Sequence, residues 1–267
     1  MKRSTVGLLT VVTMAVSIML TVFPAVQHLM RWTQAERAVS AYMLTTEDWG
    51  SGREAGQRNL AKWYNFCLRM NLSQEECREA YGSILHTAPG VMGYLEFPEW
   101  HFRLPLFHSG SVLPGCYSAE HLEGSAFPVG GRGNHTILTI PEVFSGFREG
   151  DVFVVHILDQ RISYRVENLQ FVAPGRTEGI LPSRNEDRCT LITTVCRGSK
   201  QRKLLIRGIR EADGESPPAA LEKTNLLLCL LQGMPVLLLP AAAGGIGKAA
   251  NGLWRKWNCG TSTNRAR

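Results

Sequence analysis

Gly150-Asp-Val-Phe-Val-Val-His-Ile-Leu-Asp-Gln-Arg-Ile-Ser-Tyr-Arg-Val166 holds two short runs rich in β-branched and aromatic residues. Asp151–Leu158 and Arg161–Val166 each have strand length, and Asp159-Gln160 between them fits a tight hairpin connection. Working outward, runs of the same texture recur at Gly93–Phe97, Arg103–Phe107, Thr136–Thr139, Gln170–Val172, Cys189–Val195 and Lys203–Arg207, cut by Gly- and Pro-bearing breaks. Many short strands at this spacing predict a mainly β fold, a closed barrel or sandwich. Upstream, Trp32 to Met70 is rich in Ala, Glu, Arg, Lys and Leu and has no proline, which predicts a helical neck. Asn71-Leu-Ser73-Gln-Glu-Glu76 reads as a break and restart, with Ser73 as N-cap and Glu76 three positions on.

The chain has 267 residues, 44% of them hydrophobic, and the apolar ones crowd its two ends. No charged residue falls between Arg3 and Arg31, nor between Lys223 and Lys248. A membrane-crossing helix needs roughly 20 mostly apolar residues, so both stretches qualify by length. The first exceeds the apolar core of a cleaved signal peptide and lacks a clean A-x-A site, so it reads as a retained anchor. Pro235 and Pro240 interrupt the second, which membrane helices tolerate better than soluble ones. Lys2 and Arg3 precede the first span, and Lys248, Arg255, Lys256, Arg265 and Arg267 follow the second. The positive-inside rule then makes both termini cytoplasmic and turns the middle outward, with Trp254 and Trp257 in an interfacial belt. Much of the net charge of +6 is therefore topology and does not signal nucleic acid. The expected organisation is an N-terminus and first span over 1–30, a neck over 31–86, a β-barrel over 87–212, a linker over 213–224, a second span over 225–247 and a basic tail over 248–267.

Seven cysteines occur, and the five facing outward show no paired zinc-ligand spacing. Cys67 and Cys77 suit either a disulfide in an oxidising exterior or separate thiols. Gly130-Gly-Arg-Gly133 lacks the Lys-Ser/Thr and the helix that a phosphate loop needs. No clustered carboxylates call for a metal, and no organic cofactor is implied. Asn134-His-Thr136 is a glycosylation sequon by pattern only.

From about Tyr81 to Arg210 the chain resembles the class C sortases, membrane-bound cysteine transpeptidases that polymerise pilins. The resemblance rests on Val91-Met-Gly-Tyr-Leu-Glu-Phe-Pro98, Leu104-Pro-Leu-Phe-His108, His121-Leu-Glu-Gly-Ser-Ala-Phe-Pro-Val-Gly-Gly131 and Gly150-Asp-Val-Phe-Val-Val-His-Ile-Leu158. Tyr164-Arg-Val166, Val172-Ala-Pro174, Thr190-Leu-Ile-Thr193 and Leu204-Leu-Ile-Arg-Gly208 follow in the same order. It implies a sortase-like closed β-barrel with short helices, carried on a helical neck between two transmembrane helices. It also implies sorting-signal peptides of pilins or surface proteins as partners.

Sortase chemistry requires a thiolate nucleophile, a histidine for the leaving amine and an arginine at the oxyanion. The resemblance implies where each should stand. The histidine's stretch is deleted, leaving Pro141 near its place, and His135 lies about 20 Å away along a strand. The nucleophile ends a Thr-Leu-x-Thr-Cys run in the family, but Thr194 follows Thr190-Leu-Ile-Thr193 here. Cys196, two residues on, keeps the strand face but sits roughly 6–7 Å further along, and is the candidate nucleophile of a shifted site. The arginine's slot holds Lys203, which lacks a two-pronged donor. Arg202 beside it keeps the donor and is the alternative oxyanion group, though odd spacing turns it to the other face. The Asp-Pro-aromatic lid run is absent, and Cys77-Arg-Glu-Ala80 occupies its region. His108, His121 and His156, with Glu96, Glu123 and Asp151, fall on fold motifs and are expected to pack or cap. The leading expectation is a degenerate class C-like homologue that binds sorting signals without turning them over. The other is an active cysteine transpeptidase using Cys196.

Overall fold

The structure, a computed structural model, describes residues 2–72, 74–87, 90–173, 186–197 and 200–211. The linker, second span and basic tail, including Trp254 and Trp257, lie outside the described residues, as does the Ser73 cap. Helix α1 (Lys2–Glu47) runs unbroken through Pro24. It is long and apolar enough to cross a membrane, and Val11, Met14, Leu20 and Phe23 on it are exposed. The expected division at residue 30 between span and neck is therefore no break in the helix. Arg31 to Glu47 contains neither Gly nor Pro, so helix propagation has nothing to stop it until Gly50. Helix α2 (Ser51–Met70) ends on Asn71, whose left-handed φ of 54° lets its N–H reach the carbonyls of Cys67 and Leu68. Helix α3 (Gln74–Tyr81) follows.

Among the described residues eight strands come next: β1 (Val91–Phe97), β2 (Phe102–His108), β3 (Ala119–His121), β4 (His135–Thr139), β5 (Val152–Ile157), β6 (Gln160–Val172), β7 (Arg188–Arg197) and β8 (Lys200–Arg210). They close into a barrel in the order β1-β2-β3-β4-β7-β8-β6-β5, with β2/β3 and β4/β7 parallel and the other pairs antiparallel. Closure leaves no edge to template aggregation. Leu95, Leu104, Phe153, Tyr164, Leu191 and Ile206 are fully buried inside. Three details differ from the sequence expectation. The runs Arg161–Val166 and Gln170–Val172 are one strand, bulged between Val166 and Asn168, because Glu167-Asn168 is absorbed as an irregularity in the ladder. Strand β3 was not expected, since three residues carry no periodic signal. The β5–β6 turn is Leu158-Asp159, one residue earlier than expected, because Ile157 pairs with Gln160.

That turn is held by the neck. Leu158 sits at a φ of 54°, unusual for a residue with a side chain, and its N–H donates to the Tyr42 hydroxyl of α1 at 2.8 Å. Asp159 pairs with Arg58 of α2. Further contacts fasten helices to barrel: Trp32 packs on Phe102 at 3.9 Å between ring centroids, and Arg103 bonds Glu36 at 2.6 Å. Asn65 of α2 receives the Phe127 N–H (2.7 Å) and donates to the Phe127 carbonyl (2.9 Å). Tyr81 of α3 donates to the His121 carbonyl at 2.8 Å and lies 3.0 Å from its Nδ1, while His121 Nε2 faces the Ala126 carbonyl at 3.0 Å. Gly93 is obligatory: a Cβ there would overlap the His156 carbonyl oxygen and the Ile157 side chain across the β1–β5 seam.

Burial pushes the pKa of His121 down to about 4, and burial followed by Arg188 and Arg207 does the same to His135. Both imidazoles are thus neutral in the fold, whereas in the unfolded chain they take a proton near 6.5. Stability is complete above about pH 6.5 and falls as pH drops toward 4, by on the order of 2–3 kcal/mol per histidine. Urea midpoints of the full chain in detergent should decline across that window, and His121→Gln should flatten the decline; a midpoint independent of pH would refute it. Asn65→Ala, which orphans both Phe127 backbone groups, should cost roughly 2–4 kcal/mol in the same assay.

Candidate functional site

Alternation along β7 and β8 sorts their residues into two faces. Cys189, Leu191, Leu204 and Ile206 join the barrel core. Ile192 and Leu205 turn the other way and form a separate apolar patch with Ile137 of β4 and Val172 of β6. This outer patch is the floor of the candidate site. At one end of it, Thr194 pairs directly with Lys203, which also pairs with Val172. Thr194 and Lys203 are both exposed. The parallel β4–β7 ladder runs from His135 opposite Arg188 to Thr139 opposite Ile192, and the Ile140 N–H donates to the Ile192 carbonyl at 2.8 Å. Extending that register by two residues sets Pro141 level with Thr194. Pro141 then caps the 3-10 turn Glu142–Phe144.

The three positions at which the resemblance implies histidine, cysteine and arginine are thus neighbours on three adjacent strands, and they hold Pro141, Thr194 and Lys203. Cys196 pairs with Gln201 and Arg202 with Val195, so this backbone register does not set Cys196 opposite Arg202. His135 Nε2 lies 2.8 Å from the Thr190 hydroxyl, four residues before Thr194, or about 13 Å along the strand. The remaining motif residues have local partners. His156 Nε2 meets Glu96 at 2.6 Å and stacks on Tyr94 at 4.3 Å. This contact to His156 is the main reason the Glu96 carboxyl is held below the usual range. His108 faces the Ile84 carbonyl at 2.8 Å, Glu123 pairs with Arg78 at 3.4 Å and Asp151 accepts the Arg148 N–H at 2.7 Å.

Cys67, Cys77, Cys116 and Cys189 are thiols, with no disulfide between Cys67 and Cys77. Burial pushes the pKa of Cys116 up to about 11 and that of Cys189 well above its ordinary value. Both stay protonated, and a protonated thiol is a poor nucleophile. Asp187 was not singled out in the sequence, since no motif surrounds it. It accepts the Gly131 N–H at 3.1 Å and sits 3.3 Å from the Tyr164 hydroxyl and 3.4 Å from Arg210 Nη1. Gly130, Gly131 and Gly133 adopt φ of 73°, 130° and 78°, so the glycine run is a tight turn tied down by a carboxylate.

No protein-family model and no curated protein matches the chain. Solved structures do. Sortase C1 from Streptococcus agalactiae is 28% identical with a TM-score of 0.59, the match covering 66% of this chain and 99% of that one. Sortase C from Streptococcus pneumoniae is 28% identical with a TM-score of 0.57, covering 66% and 97%. Sortase C from Clostridium perfringens, solved with the C-terminal cell wall sorting motif, is 23% identical with a TM-score of 0.57, covering 67% and 100%. The barrel of this chain has the sortase fold.

The register itself is testable. In a Cys196→Ser background, Thr194→Cys with Lys203→Cys should close a disulfide on mild oxidation, because directly opposed strand residues lie 4.5–5.5 Å apart at Cα. Thr194→Cys with Arg202→Cys should not. Thiol counting by mass spectrometry after alkylation reads both, and the reverse pattern would mean that β8 slips by one residue.

Proposed function

We propose that the chain is a class C-like sortase homologue of the cell surface, linked to pilin polymerisation or surface-protein anchoring. In this reading it binds sorting-signal peptides in the groove floored by Ile137, Ile192, Leu205 and Val172, and does not turn them over. It acts as a binding or accessory factor, anchored by α1, with both termini cytoplasmic, the barrel outside and no cofactor. The observation that carries the reading is the Thr194–Lys203 pair, level with Pro141, at the positions where the resemblance implies cysteine, arginine and histidine. A threonine hydroxyl attacks a peptide carbonyl only when a strong base takes its proton. Lys203 is exposed, and a lysine lacks the planar two-pronged donor that an arginine offers an oxyanion. The apolar floor suits alternate side chains of an extended peptide, as peptide-binding grooves do. The sorting motif held by the Clostridium perfringens sortase C supports that class of ligand.

Full-length protein in detergent, offered a panel of sorting-motif peptides, should bind at least one without cleaving it and without an acyl adduct by mass. Ile192→Asp should weaken that binding by tenfold or more, since it buries a charge in the floor. Cleavage that disappears in Cys196→Ala would overturn the degenerate reading and make Cys196 the nucleophile. Failure to bind any peptide would overturn the binding role.

A further inference from the structure

Strand polarity places the candidate groove relative to the apolar helix. Trp32, just past the apolar run of α1, packs on Phe102, the first residue of β2. That end of the barrel is therefore the end at which α1 arrives. From it β2 and β3 run outward in parallel, β4 returns antiparallel to β3, and β7 returns beside β4. Thr139, Pro141, Thr194 and the β7–β8 turn, where Arg197 pairs with Lys200, thus lie at the arrival end. Ring contacts agree independently: Phe144, three residues after Pro141, stacks on Phe102 at 4.8 Å and meets Tyr117 at 6.0 Å. Tyr117 in turn bonds His28 of α1 at 2.7 Å.

This end is chemically distinct on the β7–β8 side. No Asp or Glu occurs from Cys189 to Arg210, and Arg202 and Lys203 stand near the start of β8. Arg202 and Lys203 are exposed and form no ion pair among the described residues. Where β7 begins and β8 ends the cations are matched: Arg188 with Glu186 and Glu167, Arg210 with Asp187. Of the described carboxylates at the arrival end, Glu36 is paired with Arg103, Glu99, Glu149 and Asp151 belong to the β1–β5 side, and Glu142 adjoins β7. Two exposed apolar side chains, Val143 after Pro141 and Phe171 on β6, flank the hairpin. Unmatched cations beside exposed apolar groups, at the end where an apolar helix enters, match the chemistry of an anionic lipid surface.

We propose that the start of β8, carrying the exposed Arg202 and Lys203, rests on the anionic phospholipid headgroups of the membrane that α1 enters, so that the groove opens toward the bilayer surface. This rests on the reading of α1 as a retained span. These two cations replace counterions at the headgroups while Val143 and Phe171 sit at the interface. A groove held there meets its ligand at the membrane rather than in the surrounding solution.

Full-length protein reconstituted into phosphatidylglycerol or phosphatidylcholine nanodiscs would be followed by hydrogen exchange. Slower exchange over Gln201–Leu205 in phosphatidylglycerol alone, relieved by high salt, is expected. Arg202→Gln with Lys203→Gln should cut that protection by roughly fivefold per residue removed. Equal exchange in both lipids, or protection that salt leaves intact, would overturn the proposal while the span reading stands. Protection that appears only when an acidic peptide is added would overturn it in favour of a protein partner. Chain that alkaline carbonate strips from vesicles would instead overturn the span reading itself.

Discussion

The parallel pairing of β4 with β7 is the constraint on which the rest of the molecule depends. Two parallel neighbours cannot be joined by a tight turn, so the chain between them must leave and return to the same end. It does so through β5 and β6, which close the barrel against β1 and β8. The same ladder fixes where β4 stops relative to β7, which sets Pro141 level with Thr194. One residue of slip would send Ile137 and Ile192 from the outer floor into the core and bring Leu138 and Leu191 out.

A barrel this small needs help from outside its wall, and the neck supplies it by hydrogen bonds to backbone groups as much as by apolar burial. Tyr42 holds a left-handed leucine, Asn65 satisfies both polar groups of Phe127, and Tyr81 binds the His121 carbonyl. Each of these backbone groups would otherwise be buried with an unmet bond, at a penalty of about 1–3 kcal/mol. The helices thus work as part of the barrel, and the long apolar helix is coupled through Trp32 and Phe102 to the strand end carrying the candidate groove.

Electrostatics separates the two ends of the barrel. At the far end, cations meet carboxylates, and Asp187 is buried so deeply that its pKa rises despite Arg210 nearby. At the near end, Lys203 and Arg202 face solvent, and the apolar floor lies beside them. The proposed binding role draws on that pairing of charge with an apolar floor, and Thr194 brings no sulfur to it.

Much of this was legible in the residues themselves. Alternation in Val152–Ile157 and Arg161–Val166, helix-forming composition before Met70 and the uncharged N-terminal run were enough for strands, neck and apolar helix, because periodicity and composition are local properties. The order of the family motifs was enough for a closed barrel. Strand β3, the bulge at Glu167, the Leu158 turn and the role of Asp187 were not legible, since each exists only through partners distant in the chain. Two further matters were decided by the tertiary structure alone: that Thr194 faces Lys203 while Arg202 faces Val195, and that the basic hairpin shares an end with Trp32. Both are matters of strand register and polarity. These are set when side chains far apart in sequence pack on a common core, and no local pattern encodes them.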